Sequence, residues 1–182
     1  ASWDLALRSA GGALAIAAAV WTGKSQAGFA ITRPPGHHAT RQRGMGFCLL
    51  NNAAIAAEYL LTANQPGFSN VRKLAIIDLD LHHGNGLQDI FWRRGDVFYI
   101  STHQSPLFPG SGKLDELGTG LGEGTNMNIP FPPGTGDTGF LAVMDELILP
   151  ALDAYQPEIL FLCLGFDPHW KDPLGHLLCS AQ

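Results

Sequence analysis

Positive charge is scarce in this chain. Lysine and arginine together number 11 against 16 aspartates and glutamates, a formal net charge of -5. With no positive field over the molecule, tight binding to nucleic acid through phosphate neutralisation is not expected. Cysteine is sparse as well: Cys48, Cys163 and Cys179 are odd in number and widely spaced. That usage argues against a disulfide framework and for a reducing, cytoplasmic setting. A long hydrophobic run is also missing. The alanine-rich stretch 10–20 lacks a basic start and is too short to cross a bilayer, so it reads as a buried helix.

What the chain has in quantity is apolar surface and glycine. Hydrophobic residues make up 46% of the 182 positions, charged residues only 15%, and there are 22 glycines. This composition suits a buried parallel sheet joined by long shaped loops, and the length fits one domain over residues 1–182.

Local patterns give the order of elements. Residues 3–21 place Leu5, Leu14, Ala18 and Trp21 at helical spacing, and Gly23 supplies a stop. The short apolar run 27–32 ends at Arg33-Pro34-Pro35-Gly36 and reads as a buried strand. Residues 52–61 are strong helix formers, and 73–79 is a branched apolar strand. A short helix is predicted at 85–92, a strand at 96–101, a longer helix at 138–155 that Pro150 kinks or divides, and a buried strand at 158–164. Such alternation predicts an α/β fold, a doubly wound parallel sheet with helices on both faces. Its ligands are expected outside the carboxyl ends of the strands. Residues 103–128 form a glycine-rich connection of a length that is usually functional.

The sharpest chemical signal is Asp78-Leu79-Asp80-Leu81-His82-His83-Gly84-Asn85-Gly86 at the end of the 73–79 strand. Strand alternation would put Asp78, Asp80 and His82 on one side and Leu79 and Leu81 on the other. Three polar groups in register need a metal, a partner or solvent to offset their desolvation. Asp167 follows the 158–164 strand through Gly165-Phe166 and emerges at the same sheet edge. Asp80, His82 and Asp167 then make three protein ligands, the number that a catalytic zinc site uses while leaving a position open. Arg33-Pro34-Pro35-Gly36-His37-His38-Ala39 adds adjacent imidazoles suited to a general base and an electrostatic helper. Phe47 and Phe108 stand on loops where they could wall a narrow apolar channel, although Phe47 taken alone reads as core.

Four blocks, Arg-Pro-Pro-Gly-His-His-Ala, Gly-Phe-Cys-Leu-Leu-Asn-Asn, Asp-Leu-Asp-Leu-His-His-Gly-Asn-Gly and Gly-Phe-Asp-Pro-His-Trp-Lys-Asp-Pro-Leu-Gly, resemble those of the histone deacetylase and acetylpolyamine amidohydrolase superfamily. They occur in the family's order across nearly the whole chain, and the pattern is closest to the bacterial, class II-like branch. The resemblance implies an arginase/deacetylase-type fold, zinc held by Asp80, His82 and Asp167, and hydrolysis of an acetylated amine such as acetyl-lysine or an acetylpolyamine. It also implies that His38 is the principal base and acid, that Asp78 orients His37 beside it, and that Asn85 sits by His38. Phe47 and Phe108 would line the acyl channel. A structural potassium ion would be held by Asp78, Asp80, His82, Ser101 and Thr102.

The resemblance also implies further chain on both sides, including a Gly-Gly-Tyr loop whose hydroxyl stabilises the oxyanion, which this sequence lacks. The tail, His176 to Gln182, reads as departing from the family and ending without an element that closes a domain. A fold incomplete at both ends would bare a sheet edge and favour a homodimer with exchanged elements. Losing the oxyanion donor would cost about a hundredfold or more in turnover, which keeps a non-catalytic, metal-binding and self-associating role in view. An arginase-like ureohydrolase is a further alternative. Glu116 and Glu123 in the long loop hint at a cationic substrate, or are simply solvated.

Overall fold

Two apolar stripes on one short strand set the architecture. In β1 (Leu74–Asp78) every residue is buried, Leu74 and Ile76 within one hydrophobic cluster and Ala75 and Ile77 within another. A strand apolar on both sides needs cover on both sides, which a parallel sheet flanked by helices provides. The computed structural model describes residues 2–63 and 66–181. Their sheet has β2 (Val97–Gln104), β3 (Asn126–Phe131) and β4 (Ile159–Cys163) beside β1, all parallel, in the order β3-β2-β1-β4.

Helices α1 (Ser2–Trp21), α2 (Asn52–Thr62) and α3 (Asn85–Phe91) cover one face, where Ala17, Ala57, Leu60, Leu87 and Phe91 meet Leu74 and Ile76. Helices α4 (Asp137–Val143) and α5 (Leu149–Tyr155) contribute Phe140, Val143, Leu152 and Tyr155 to the other face. The chain runs outward from β1 to β2 to β3 and then returns to place β4 on β1's opposite edge. The reversal leaves a crevice between the ends of β1 and β4, the place where such sheets bind ligands.

Several expectations hold and several do not. The predicted 138–155 helix is continuous but widened: α4 passes through a π-turn, Met144–Ile148, into α5, with Pro150 in α5's first turn. Pro150 has no N–H to give the preceding turn, and that position is where a proline costs least. The 96–101 strand extends to Gln104 because Thr102, His103 and Gln104, polar but buried, pair with Ile129, Pro130 and Phe131 of β3. β3 itself lies in what reads as loop. Asn126, Asn128 and Pro130 break its apolar pattern, and Pro130 is tolerated because β3 pairs on one side only among the described residues.

The run 27–32 is not a buried strand. It forms no regular element and is exposed, Ile31 at 87%, because no described segment pairs with it. The alanine-rich helix is longer than the 10–20 run and is not buried as a whole. Over Ser2–Trp21 it is long and apolar enough, by length and composition, to cross a membrane. It packs Ala6, Ala10 and Ala17 inward and leaves Trp3, Leu5 and Leu7 exposed.

The tail also corrects its expectation, because it is tied into the fold. Leu177 is 2% exposed in the second cluster, Leu178 N donates to Thr135 O at 2.8 Å, and Trp170 N donates to Cys179 O at 2.9 Å.

Candidate metal and histidine site

β1 stops at Asp78, so the alternation expected to carry Asp78, Asp80 and His82 to one side ends there. Two backbone-to-carboxylate turns take over. Asp80 N donates to Asp78 Oδ1 at 3.3 Å and His82 N to Asp80 Oδ1 at 2.8 Å. These local bonds make the chain turn at the sheet edge. Leu81, fully buried in the second cluster, anchors the turn from the apolar side.

The turn and the segment after β4 meet in the crevice. His82 Nδ1 lies 3.1 Å from Asp80 Oδ1 and 2.9 Å from Asp167 Oδ2, and Leu81 N donates to Asp167 Oδ1 at 3.1 Å. One atom from each of Asp80, His82 and Asp167 falls within 4.8 Å of the other two, all three residues half-buried. Two carboxylates and one imidazole nitrogen at that spacing suit a divalent cation with room for another ligand. Asp78 is not part of the group, being fully buried and engaged elsewhere.

Gly165 is what lets the carboxylates approach, since a β-carbon there would collide with Asp80 Oδ2 and Asp167 Oδ1. Gly165→Ala is therefore expected to weaken the affinity of this group for a divalent cation about ten- to a hundredfold, the size of effect seen when the shell around metal ligands is disturbed. Competition titration against a chromophoric chelator measures it, and unchanged affinity would contradict this reading of the glycine.

The His37-His38 loop is held from three directions. The α2 cap residue Asn51 accepts from Ala54 N and donates to Ala39 O, Asn52 donates to Pro34 O, and the first amides of α3, Gly86 N and Leu87 N, donate to His37 O. His37 Nδ1 then donates to Asp78 Oδ2 at 2.8 Å, which also accepts from Tyr99 Oη at 3.2 Å. His38 Nδ1 donates to Asn85 Oδ1 at 2.8 Å. The two imidazoles lie 4.0 Å apart, and the His38 ring is 5.9 Å from that of His82. Asn85 thus sits by His38, as expected.

Their environments push the two histidines in opposite directions. Burial alone would lower His37, but the Asp78 carboxylate beside it prevails and raises it to about 9. Burial, with the neighbouring charge of His37, lowers His38 to about 4. At neutral pH His38 is then an uncharged imidazole whose Nδ1 proton is committed to Asn85, which leaves Nε2 as a base. Hydrogen bonds to the Asp167 and Asp80 carboxylates raise His82 to about 9, so a proton and a cation compete for its Nδ1.

Phe108 is half-exposed, with its ring edge-on to His38 at 5.1 Å and to His82 at 6.2 Å. Phe47 is not core. It is 89% exposed at a φ of 63°, next to Gly46, whose bare Cα passes against the His38 ring. No pattern within one residue's neighbours could have shown that.

Ser101 and Thr102 lie fully buried beside Asp78, but Ser101 Oγ bonds His103 Nδ1 and Thr102 Oγ1 donates to Asp78 O. A potassium ion at those residues gains no support. Glu116 is half-buried and tied to the fold, its carboxylate accepting from Gln88 Nε2 at 2.6 Å and Gly112 N at 3.0 Å. The doublet His82-His83 was the signal for this second polar region, since one of two neighbouring histidines has to point away from the metal group.

Burial lowers His83 to about 3 and also lowers His103. The stability that neutral His83 contributes is complete above its unfolded value near 6.5 and drains away as pH falls toward about 3. His37 has the opposite sign: its contribution is complete below about 6.5 and is lost as pH rises through about 9. The metal-free chain is expected to be most stable near about pH 6.5. Urea midpoints across the range check this, and His83→Gln should flatten the acid side.

Comparison with known proteins gives a consistent picture. The histone deacetylase domain matches residues 1–182, so the tail lies within the family pattern and not outside it. A probable deacetylase of Archaeoglobus fulgidus is 47% identical over 180 residues, which are 99% of this chain and 48% of that protein. The crystal structure of the HDA15 HD domain superposes with a TM-score of 0.91 at 39% identity, covering 97% of this chain and 49% of that one. The acetylpolyamine aminohydrolase from Burkholderia pseudomallei does so with a TM-score of 0.89 at 42% identity, over 97% and 50%. The chain spans from 26% to 53% of the length of the curated relatives it matches.

Proposed function

The chain belongs to the histone deacetylase domain family, and on that premise we propose that its crevice serves the zinc-dependent hydrolysis of an acetylated amine to free amine and acetate. The observation that carries the reading is the donor set Asp80, His82 and Asp167, with neutral His38 one ring away. The set fits zinc by donor type, number and mutual distance. When bound, the ion supplies a Lewis acid that polarises an amide carbonyl and acidifies water.

The chain's own residues do the rest. His38 Nε2 takes a proton from the attacking water and later gives it to the leaving amine. Asn85, by accepting from His38 Nδ1, keeps the tautomer in which Nε2 is bare. His37, charged and held by Asp78, favours negative charge developing beside it. Phe108 offers an apolar wall for a methylene stem, and Phe47 a second on the rim.

Acetyl-lysine peptides and N-acetylated polyamines are the substrates to test. The purified chain, loaded with Zn2+, is expected to release acetate from at least one of them in a chelator-sensitive manner. Release that a chelator does not touch, or none at all, counts against the proposal. Turnover is expected to be slow, because none of the chain's three tyrosines offers a hydroxyl to the metal group. Tyr99 donates to Asp78, Tyr155 donates to Gly95 O, and Tyr59 packs against Phe68. This observation favours, as the second reading, a metal-binding chain that does not turn over.

β4 pairs with β1 alone among the described residues and exposes Leu160 and Leu162. A homodimer formed by pairing at that edge, with or without exchanged elements, is the proposed assembly of the isolated chain. Light scattering tests it. The ureohydrolase alternative draws no support from the family match, and one three-residue metal group is found among the described residues.

A further inference from the structure

One residue past His82, His83 belongs to a polar cluster that the proposed reaction does not use. His83 is 1% exposed, its Nδ1 is 2.8 Å from Ser111 Oγ, and its Nε2 donates to Gln88 Oε1 at 3.1 Å. His103, also 1% exposed, stands 4.8 Å away ring to ring, with Nδ1 on Ser101 Oγ and Nε2 donating to Gly112 O at 2.9 Å. All four nitrogens are engaged, so the cluster is no metal site. It is built to hold backbone. Gly112, at a φ of +89°, lies flat on both rings, and a β-carbon there would stand 2.5 Å from His103 Nε2 and 2.7 Å from His83 Cδ2.

Gln88 and Glu116 lock this arrangement. Glu116 Oε2 accepts from Gln88 Nε2 and from Gly112 N, while Gln88 Oε1 accepts from Asn128 Nδ2 at 2.8 Å and Asn126 Nδ2 at 3.0 Å. The pair therefore joins α3, β3 and the 105–125 loop at a single half-buried point. Phe108 lies on that loop, four residues before Gly112. Its segment is fastened at one end by Ser105 N donating to Phe131 O and at the other by this cluster, with one turn bond from Gly110 N to Leu107 O between. A half-exposed ring has little packing of its own to hold it.

We propose that Gln88 and Glu116 are positioning residues that set Phe108 over the metal group and so determine the fit of the substrate's methylene stem. The inference rests on the deacetylase reading for its substrate, but not for its geometry. Glu116→Leu removes the shared acceptor, and Gln88→Glu sets two carboxylates face to face. Glu116→Gln keeps an acceptor oxygen and is the conservative rescue.

Expected for the first two are loss of the Phe108–His38 ring contact by NMR, one Zn2+ retained per chain, and a KM raised about ten- to a hundredfold with kcat changed far less. Glu116→Gln should stay close to the parent. Phe108→Ala should raise KM similarly, and adding Glu116→Leu to it should raise KM no further, because the one acts through the other. Persistence of the ring contact in Glu116→Leu, or an additive KM in the double variant, would overturn the proposal. If Glu116→Leu does not fold, Gln88→Ala gives the same readouts by removing the other half of the pair, and an unmoved contact there is equally decisive. The NMR contact is read with or without turnover. A parent chain inert on both substrates therefore counts against the deacetylase reading, while the contact still decides this one.

Discussion

Replacing His82 with alanine is expected to leave the purified chain without tightly held zinc. His82 contributes the single nitrogen of the donor set, and its Nδ1 is the atom that both Asp80 and Asp167 approach. Without it, two carboxylates face each other across the space the ring filled, with no nitrogen donor to complete the set. Removing partners that merely orient metal ligands costs about 10–100-fold in affinity, so loss of a ligand should exceed about a hundredfold. Elemental analysis after dialysis and a competition titration give the result, with circular dichroism as the check that the sheet persists. A variant that keeps one zinc per chain as tightly as the parent would remove the metal assignment, and with it the hydrolysis.

Replacing His38 with alanine should do the opposite. Zinc content is expected to be unchanged, because the His38 ring stands 5.9 Å from that of His82 and supplies no atom to the donor set. Turnover is expected to fall about a hundred- to ten-thousandfold, the range for loss of a general base. The direction follows from the two environments: His38 is neutral with Nε2 bare, whereas His37 is held as a cation by Asp78 and has no lone pair to offer at neutral pH. Steady-state rates beside zinc stoichiometry separate the roles. If His37→Ala abolished turnover while His38→Ala kept it, the two assignments would have to be exchanged.

Much of this site is legible in the chain. Asp80 and His82 closely follow a run of branched apolar residues, and Asp167 follows another through Gly165-Phe166, so all three emerge just past strand ends that apolar runs define. What misleads is what depends on partners. Residues 27–32 have a strand's composition but no neighbour to pair with. β3 has polar residues and a proline, yet pairs with β2, the Nδ2 groups of its asparagines donating to Gln88 and to loop carbonyls. Phe47 looks like core and stands in solvent, while Glu116 looks solvated and clamps Gly112. The value of each side chain was set by what faces it, and that is not written near it.

The sequence by itself determined the kinds of donor, the alternation of helices and strands, and the placement of each chemical motif just beyond a strand, because turn chemistry and apolar periodicity act over a few residues. Only the tertiary structure decided which loops meet. The sheet order β3-β2-β1-β4 sets the end of β1 beside the end of β4, and that adjacency brings Asp167 to His82. Strand order is settled by the simultaneous burial of both sheet faces, a collective free energy that no local stretch of sequence contains.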